Sequence, residues 1–233
     1  MNARPPVITV DGPSGVGKGT LCQWLALRLG WHLLDSGALY RLTALAALRR
    51  NLPLADEDRV ATVAAGLDAE FVAGADGAMR ILLDGTEVGD AIRDERCGAA
   101  ASRVAALPAV RVALLQRQRD FRRPPGLIAD GRDMGTVVFP DAELKLFLTA
   151  SAEERTRRRY KQLSEKGLDA NLKNLAEEIA ARDARDARRT VAPLRPAPDA
   201  ETLDTTRIGV AEVCDWALAL IARRLALPGI DQA

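Results

Sequence analysis

The sequence has one histidine, three cysteines and only 4% aromatic residues among 233, and it lacks an excess of charge of either sign. Its 33 basic side chains stand against 32 acidic ones, a formal net charge of +1. Each shortage excludes something. Near-neutrality removes any global attraction for nucleic acid or a membrane surface, and so few aromatics leave little on which bases could stack. Cys22, Cys97 and Cys214 are far apart and odd in number, which suits neither a disulfide framework nor a zinc site; Cys22 and Cys214 fall in amphipathic stretches as reduced packing residues. No apolar run approaches the ~20 residues of a membrane span and no signal-peptide pattern opens the chain, so a soluble cytoplasmic protein is expected. His32 lies inside an apolar strand with no partner motif and is expected to be structural. There is no internal repeat and no low-complexity tract.

What the chain does have is concentrated near its start. Val7–Val10 reads as a short buried strand, and from Lys18 the apolar residues Leu21, Leu25 and Leu29 recur at helical spacing. Between them, Asp11-Gly12-Pro13-Ser14-Gly15-Val16-Gly17 cannot continue a strand. Strand, glycine-rich loop and helix form the setting of a phosphate-binding loop. Glycines let successive N–H groups point at phosphate oxygens, and the helix start adds unpaired N–H groups and the positive end of its dipole. Gly12, Pro13, Ser14, Gly15, Val16, Gly17, Lys18, Gly19 and Thr20 are therefore the candidate ATP-binding residues, with Lys18 supplying a full charge at the β- and γ-phosphates. Gly19 stands where such loops usually carry a magnesium-binding Ser or Thr. The Lys-Gly-Thr ending resembles the nucleoside monophosphate kinases, which hold Mg2+ mainly through phosphates and water.

The rest of the chain reads as an α/β fold, a parallel β-sheet with helices on both faces. Gly30 suits a helix end, Trp31–Leu34 a strand, and a helix follows whose first turns carry Tyr40 and Arg41. A helix over 56–66 with Asp56 as N-cap is followed by three strand-like runs, Asp68–Val72, Met79–Leu83 and Thr86–Val88. Gly74–Gly77 and Asp84-Gly85 separate these runs, so a small antiparallel sheet is expected as an insertion. Helices are expected over Asp94–Ala106 and Pro108–Arg122, then a strand Leu127–Asp130, a loop from Gly131 to Thr136 and a strand Leu144–Leu148. Ser151 with Glu154 is a capping-box pattern opening a helix that carries Arg155, Arg157, Arg158 and Arg159. Gly167-Leu168-Asp169 is a break before a charged helix over 172–189; Thr202–Asp204 is a last strand, and a stripe from Val210 to Leu225 a closing helix. Leu227–Ala233 reads as a frayed tail.

A kinase that phosphorylates a phosphate must bring two polyanions together, and arginine suits this because its planar fork binds phosphate bidentately and stays charged. Arg41 follows an Asp-Ser-Gly turn, Arg132 follows a strand end where open α/β sheets bind ligands, and a third group runs from Arg155 to Arg189 on two late helices. By itself that third group could be a solvated face with i,i+4 ion pairs such as Arg182–Asp186. Beside a phosphate loop it reads better as a mobile lid that excludes water and completes a charge clamp. Asp130, ending an apolar strand, is either a magnesium-organising acid acting through water or a turn-forming Asp-Gly.

Taken together, the phosphate loop, Leu34-Asp35-Ser36-Gly37-Ala38-Leu39-Tyr40-Arg41, Ile128–Gly135 and Arg182-Asp183-x-Arg185-Asp186 resemble the bacterial cytidylate kinases over about residues 7–227. The resemblance implies ATP-dependent phosphorylation of CMP and dCMP, with Mg2+ as cofactor and the chain acting as a monomer without nucleic-acid or membrane partners. It implies a monophosphate site of Ser36, Tyr40, Arg41, Ser102, Arg111, Arg132, Asp133, Arg182, Asp186 and Arg189. Lys18, Arg132, Arg182 and Arg189 would act on the transferring group, with Arg157 and Arg158 near the ATP phosphates. It also implies one kinase unit: a core of 1–35, 107–150 and 197–227, a monophosphate region over 36–106 and a lid over 151–190. A kinase for UMP, AMP or shikimate, or a nucleotide-binding protein without turnover, are the alternatives.

Overall fold

Along the chain the elements are β1 (Val7–Asp11), α1 (Lys18–Leu29), β2 (His32–Asp35), α2 (Ser36–Arg49), α3 (Glu57–Ala65), β3 (Ala69–Ala73), β4 (Met79–Leu83), β5 (Thr86–Glu87) and α4 (Gly89–Arg93). They continue as α5 (Glu95–Val104), α6 (Pro108–Arg119), β6 (Leu127–Gly131), a π-helical turn Met134–Val138, β7 (Leu144–Thr149), α7 (Ala152–Glu165), α8 (Leu172–Ala187), β8 (Glu201–Asp204) and α9 (Val210–Leu225). This computed structural model describes residues 4–73, 79–165, 167, 169 and 171–225, so the Gly74–Gly77 separator, Leu168 and the tail Leu227–Ala233 lie outside the described residues. The chain packs as two units: one holds the residues up to Asp35 and from Arg119 onward, the other is Ser36–Gln118.

The first unit is built on a five-stranded parallel sheet in the order β2-β6-β1-β7-β8. Central β1 is buried along its whole length, as expected of a strand covered on both faces. Side chains alternate across it. Ile8 and Val10 join Leu21, Cys22 and Leu25 of α1 and Val213, Ala217 and Ile221 of α9 in one core. Val7, Thr9 and Asp11 point to the opposite face, where the π-helical turn lies. That turn replaces the plain loop expected from Gly131 to Thr136. Gly135 explains how closely it can lie on the sheet, since a Cβ there would come 2.9 Å from Thr9 Oγ1.

Several local expectations hold. Gly30 ends α1 in the left-handed conformation, its N–H turned back to the Ala26 and Leu27 carbonyls. His32 Nε2 meets the Pro124 carbonyl at 2.9 Å, a structural contact. The three cysteines are reduced and buried. The capping box of α7 is only half formed: Ser151 Oγ accepts from Glu154 N at 3.1 Å, but the Glu154 carboxylate turns to Arg157 and Arg158 instead.

The second unit joins α2, α3 and the antiparallel sheet β3-β4-β5 through a core of Leu42, Ala46, Val63, Ile81, Leu83 and Ile92. Asp56 caps α3 by accepting from Arg59 N, as its position suggested. The helix expected over Asp94–Ala106 is α5, with Asp94 as its cap, its carboxylate accepting from Arg96 N at 2.7 Å; the short α4 just before it was not expected. The extended backbone of Asp94 is what splits them. Among the described residues, no single helix is long and apolar enough to cross a membrane.

Candidate active site

The loop between β1 and α1 is shaped by three glycines with positive φ: Gly12 at 144°, Gly15 at 81° and Gly17 at 96°. Gly12 is the most constrained, because a Cβ there would sit 2.2 Å from the Leu148 carbonyl oxygen of β7. Gly17 is the N-cap of α1 and brings no side chain to cover the first helical N–H groups, which a bound anion can therefore claim. Val16 anchors the loop: its side chain is in the core and its carbonyl accepts from Thr205 Oγ1 at 3.1 Å. Lys18 folds back over the loop and donates to the Pro13 carbonyl at 2.8 Å.

Register explains why acids collect beneath this loop. In the parallel sheet Val10 is paired with Asp130, and Asp130 with Asp35, so both carboxylates lie on the face that α1 covers. Asp130 Oδ1 stands 3.9 Å from Lys18 Nζ, and a Cβ on Gly19 would be 3.7 Å from its Oδ2. Burial raises the Asp130 carboxyl above the usual range, against the pull of Lys18 and with a further push from Asp35. Burial lowers Lys18 below an ordinary lysine, and Arg132 and Arg182 add to this by repulsion. Asp11, one position further along β1 and on the other face, is raised to about 7 by burial although Gly135 N and Met134 N both donate to it.

Carboxylates hold several of the late arginines. Asp186, almost wholly buried, accepts from Arg132 Nε at 3.1 Å and from the Arg189 guanidinium one turn away. It is not paired with Arg182, the i,i+4 partner that spacing alone would offer. Arg155 is committed to protein acceptors: it forms a two-pronged pair with Asp183 (3.0 and 2.5 Å) and donates to the Ser14 carbonyl at 3.3 Å and the Ala150 carbonyl at 3.1 Å. One side chain thus ties α7, α8 and the phosphate loop together. Arg157 pairs with Glu154 on the outer face of α7, and Arg158 with Glu154 and Thr205. Asp133, only 2% exposed, stands at the start of the π-helical turn without capping it.

The remaining sequence-derived residues fall in the second unit. Ser36 and Tyr40 are buried on α2 and Ser102 is buried on α5. Arg111 on α6 lays its guanidinium 5.7 Å from the Tyr40 ring centroid and donates to the Ala105 carbonyl at 3.2 Å. Arg41 donates to the Ile92 carbonyl at 2.6 Å and lies against Gly98, where a Cβ would be 3.2 Å from its guanidinium nitrogens. Sequence reasoning passed over Asp11, Asp183 and Thr205. For Asp11 a signal existed, a carboxylate at a position where β1 alternation demands burial; for the other two there was none, because their partners are distant in the chain.

The family model described as cytidylate kinase matches residues 8–223. A protein of Azotobacter vinelandii described as cytidylate kinase is 59% identical over 225 residues, 96% of this chain and 98% of that one. A second, from Pseudomonas aeruginosa, is 61% identical over 217 residues, 92% and 94% of the two chains. A third, from Shewanella loihica, is 56% identical over 225 residues, 97% and 98%. Among solved structures, an uncharacterized protein from Eubacterium ventriosum covers 95% of this chain and 100% of its own at TM-score 0.52 and 10% identity, a likeness of fold.

Proposed function

The chain belongs to the cytidylate kinase family, and on that premise we propose that it transfers the γ-phosphoryl group of ATP to CMP, giving CDP and ADP. The observation that carries the reading furthest is the glycine-shaped loop with Lys18 folded over it, an ammonium lowered first by burial and further by the charges of Arg132 and Arg182. Like charges gather in a buried place where an anion is to be held. Phosphoryl transfer asks for this: positioning and charge neutralisation, with little covalent help. In-line attack by a CMP phosphate oxygen needs no general base, because a monophosphate is already ionised at neutral pH.

In this reading Gly12 to Thr20 cradle the ATP phosphates, and Lys18, Arg132, Arg182 and Arg189 face the transferring group. Asp186 would hold Arg132 and Arg189 in place for the acceptor phosphate, and Ser36, Tyr40, Arg41, Ser102 and Arg111 are proposed as further acceptor ligands on chemical grounds. Arg157 and Arg158 are proposed to leave Glu154 for the ATP phosphates as a lid over 151–190 closes, while Arg155 stays as its anchor. Core, monophosphate region (36–106) and lid are proposed to act as one kinase, a cytoplasmic monomer that also takes dCMP.

Asp133 is the proposed base reader. Its carboxylate can accept from the 4-amino group of cytosine, as acids do when reading that base. Uracil would present a carbonyl there, lone pair against carboxylate, at a cost on the order of 1–3 kcal/mol. That corresponds to roughly a ten- to hundred-fold preference. Magnesium fits the donor set in a limited way. Asp130 and Asp35 supply adjacent hard oxygens on the α1 face, while among the described residues no group of three His, Cys, Asp or Glu side chains is arranged to hold an ion. Asp130 would therefore hold it through water, the nucleotide carrying the rest; when bound, it would neutralise charge on the β- and γ-phosphates.

The test is an acceptor survey: ATP with CMP, dCMP, UMP, AMP or shikimate, following ADP release. CMP is expected to lead UMP by about tenfold or more. A lead by another acceptor, or no diphosphate at all, contradicts the reading.

A further inference from the structure

We infer that Asp11 is a positioning residue that sets the base-reading loop for the acceptor. Alternation along β1 sends its side chain to the face opposite α1, away from the phosphates that the neighbouring Gly12 serves. There its two oxygens take one bond each: Oδ1 accepts from Met134 N at 2.9 Å and Oδ2 from Gly135 N at 2.8 Å, all of it buried. Those amides directly follow Asp133 and come two and three residues after Arg132. One side chain is thereby bound covalently to the start of the phosphate loop and by two charge-assisted bonds to the segment that presents Arg132 and Asp133.

Packing agrees. The turn is pressed so closely on β1 that Gly135 has no room for a Cβ, which would meet Thr9 Oγ1 at 2.9 Å and Lys145 Cδ at 3.1 Å. The turn is held at its head by the Asp133 backbone carbonyl, which accepts from Val137 N at 2.9 Å, and by Asp11, which takes the two amides that follow Asp133. The inference rests on the cytidylate-kinase reading, from which Asp133 takes its task.

The test is Asp11→Asn. The amide offers one acceptor and sets an NH2 donor against the second backbone N–H, so the loop loses its two-point hold. The expected result is a KM for CMP raised about tenfold, a CMP-over-UMP preference narrowed at least about threefold, and a KM for ATP within about twofold of wild type, from the loss of one buried charge-assisted bond. If the KM values for ATP and CMP rise together, or kcat falls with base preference intact, the role is merely structural and the inference is overturned. Absence of CMP turnover in the wild type overturns both the inference and the reading beneath it, whereas wild-type turnover with unselective losses in D11N overturns the inference alone. Should D11N not fold, the wild type decides by NMR. The Met134 and Gly135 amide resonances are expected to shift on adding CMP more than on adding ATP, and the reverse order overturns the inference.

Discussion

The phosphate loop and the late arginine cluster, both proposed to hold anions, are built from opposite materials. The loop works with backbone: its glycines are fixed by φ and by close approach, and Val16 and Pro13 contribute carbonyls that are already used within the protein. The cluster works with side chains, and carboxylates aim several of its guanidiniums, Arg132 and Arg189 by Asp186 and Arg155 by Asp183. A backbone device tolerates changes of side chain and fails when a Cβ is added. A side-chain device fails when either member of a pair is removed.

Four substitutions sharpen that contrast, from the largest effect to the smallest. Lys18→Met removes the one side-chain charge of the loop, and kcat is expected to fall about a hundredfold or more with CMP and ATP saturating; retention of a tenth of wild-type kcat would contradict the role. Asp186→Ala leaves two guanidiniums facing each other without their acid, and breaking a buried pair costs about 3–5 kcal/mol. Steady-state kinetics should show a loss mainly in kcat/KM for CMP; an equal loss in ATP affinity would mean that Asp186 serves the whole fold. Gly12→Ala puts a methyl against the Leu148 carbonyl, and about 3 kcal/mol of strain corresponds to a melting temperature lower by roughly 6–12 °C. An unchanged melting curve would show that the loop can yield. Glu154→Gln tests the outer edge of the cluster. Bonds from Arg157, and then Arg158, hold Glu154 down to about 2, below the ordinary 4.5. Ionisation is thus favoured by folding, and the contribution is present above about 4.5 and lost as pH falls towards about 2. Wild type should lose more melting temperature across that window than E154Q, by a small margin since Arg157 is largely exposed.

How much of this could be read from the sequence follows the same division. The shape of the loop was legible because its residues are contiguous and Gly12, Gly15 and Gly17 each have a backbone reason to be there. The inserted sheet was legible from Asp84-Gly85, which does form the tight connection between β4 and β5, with Asp84 and Gly85 both at positive φ. For Asp186 the spacing offered Arg182 only as one possible partner, since i,i+4 spacing on one helix knows nothing of Arg132, 54 residues away. The π-helical turn was missed because its cause is tertiary: two amides tied to Asp11, more than 120 residues earlier in the chain.

The claim beneath all of this is that one chain holds donor and acceptor phosphates end to end. An adenosine–cytidine ligand joined through five phosphates measures it directly by calorimetry. Linking the two halves should make it bind at least about a hundredfold more tightly than ATP or CMP alone, with one ligand per chain and with the gain lost in Lys18→Met. Binding no tighter than that of ATP, or equal binding of the adenosine–uridine counterpart, would contradict it.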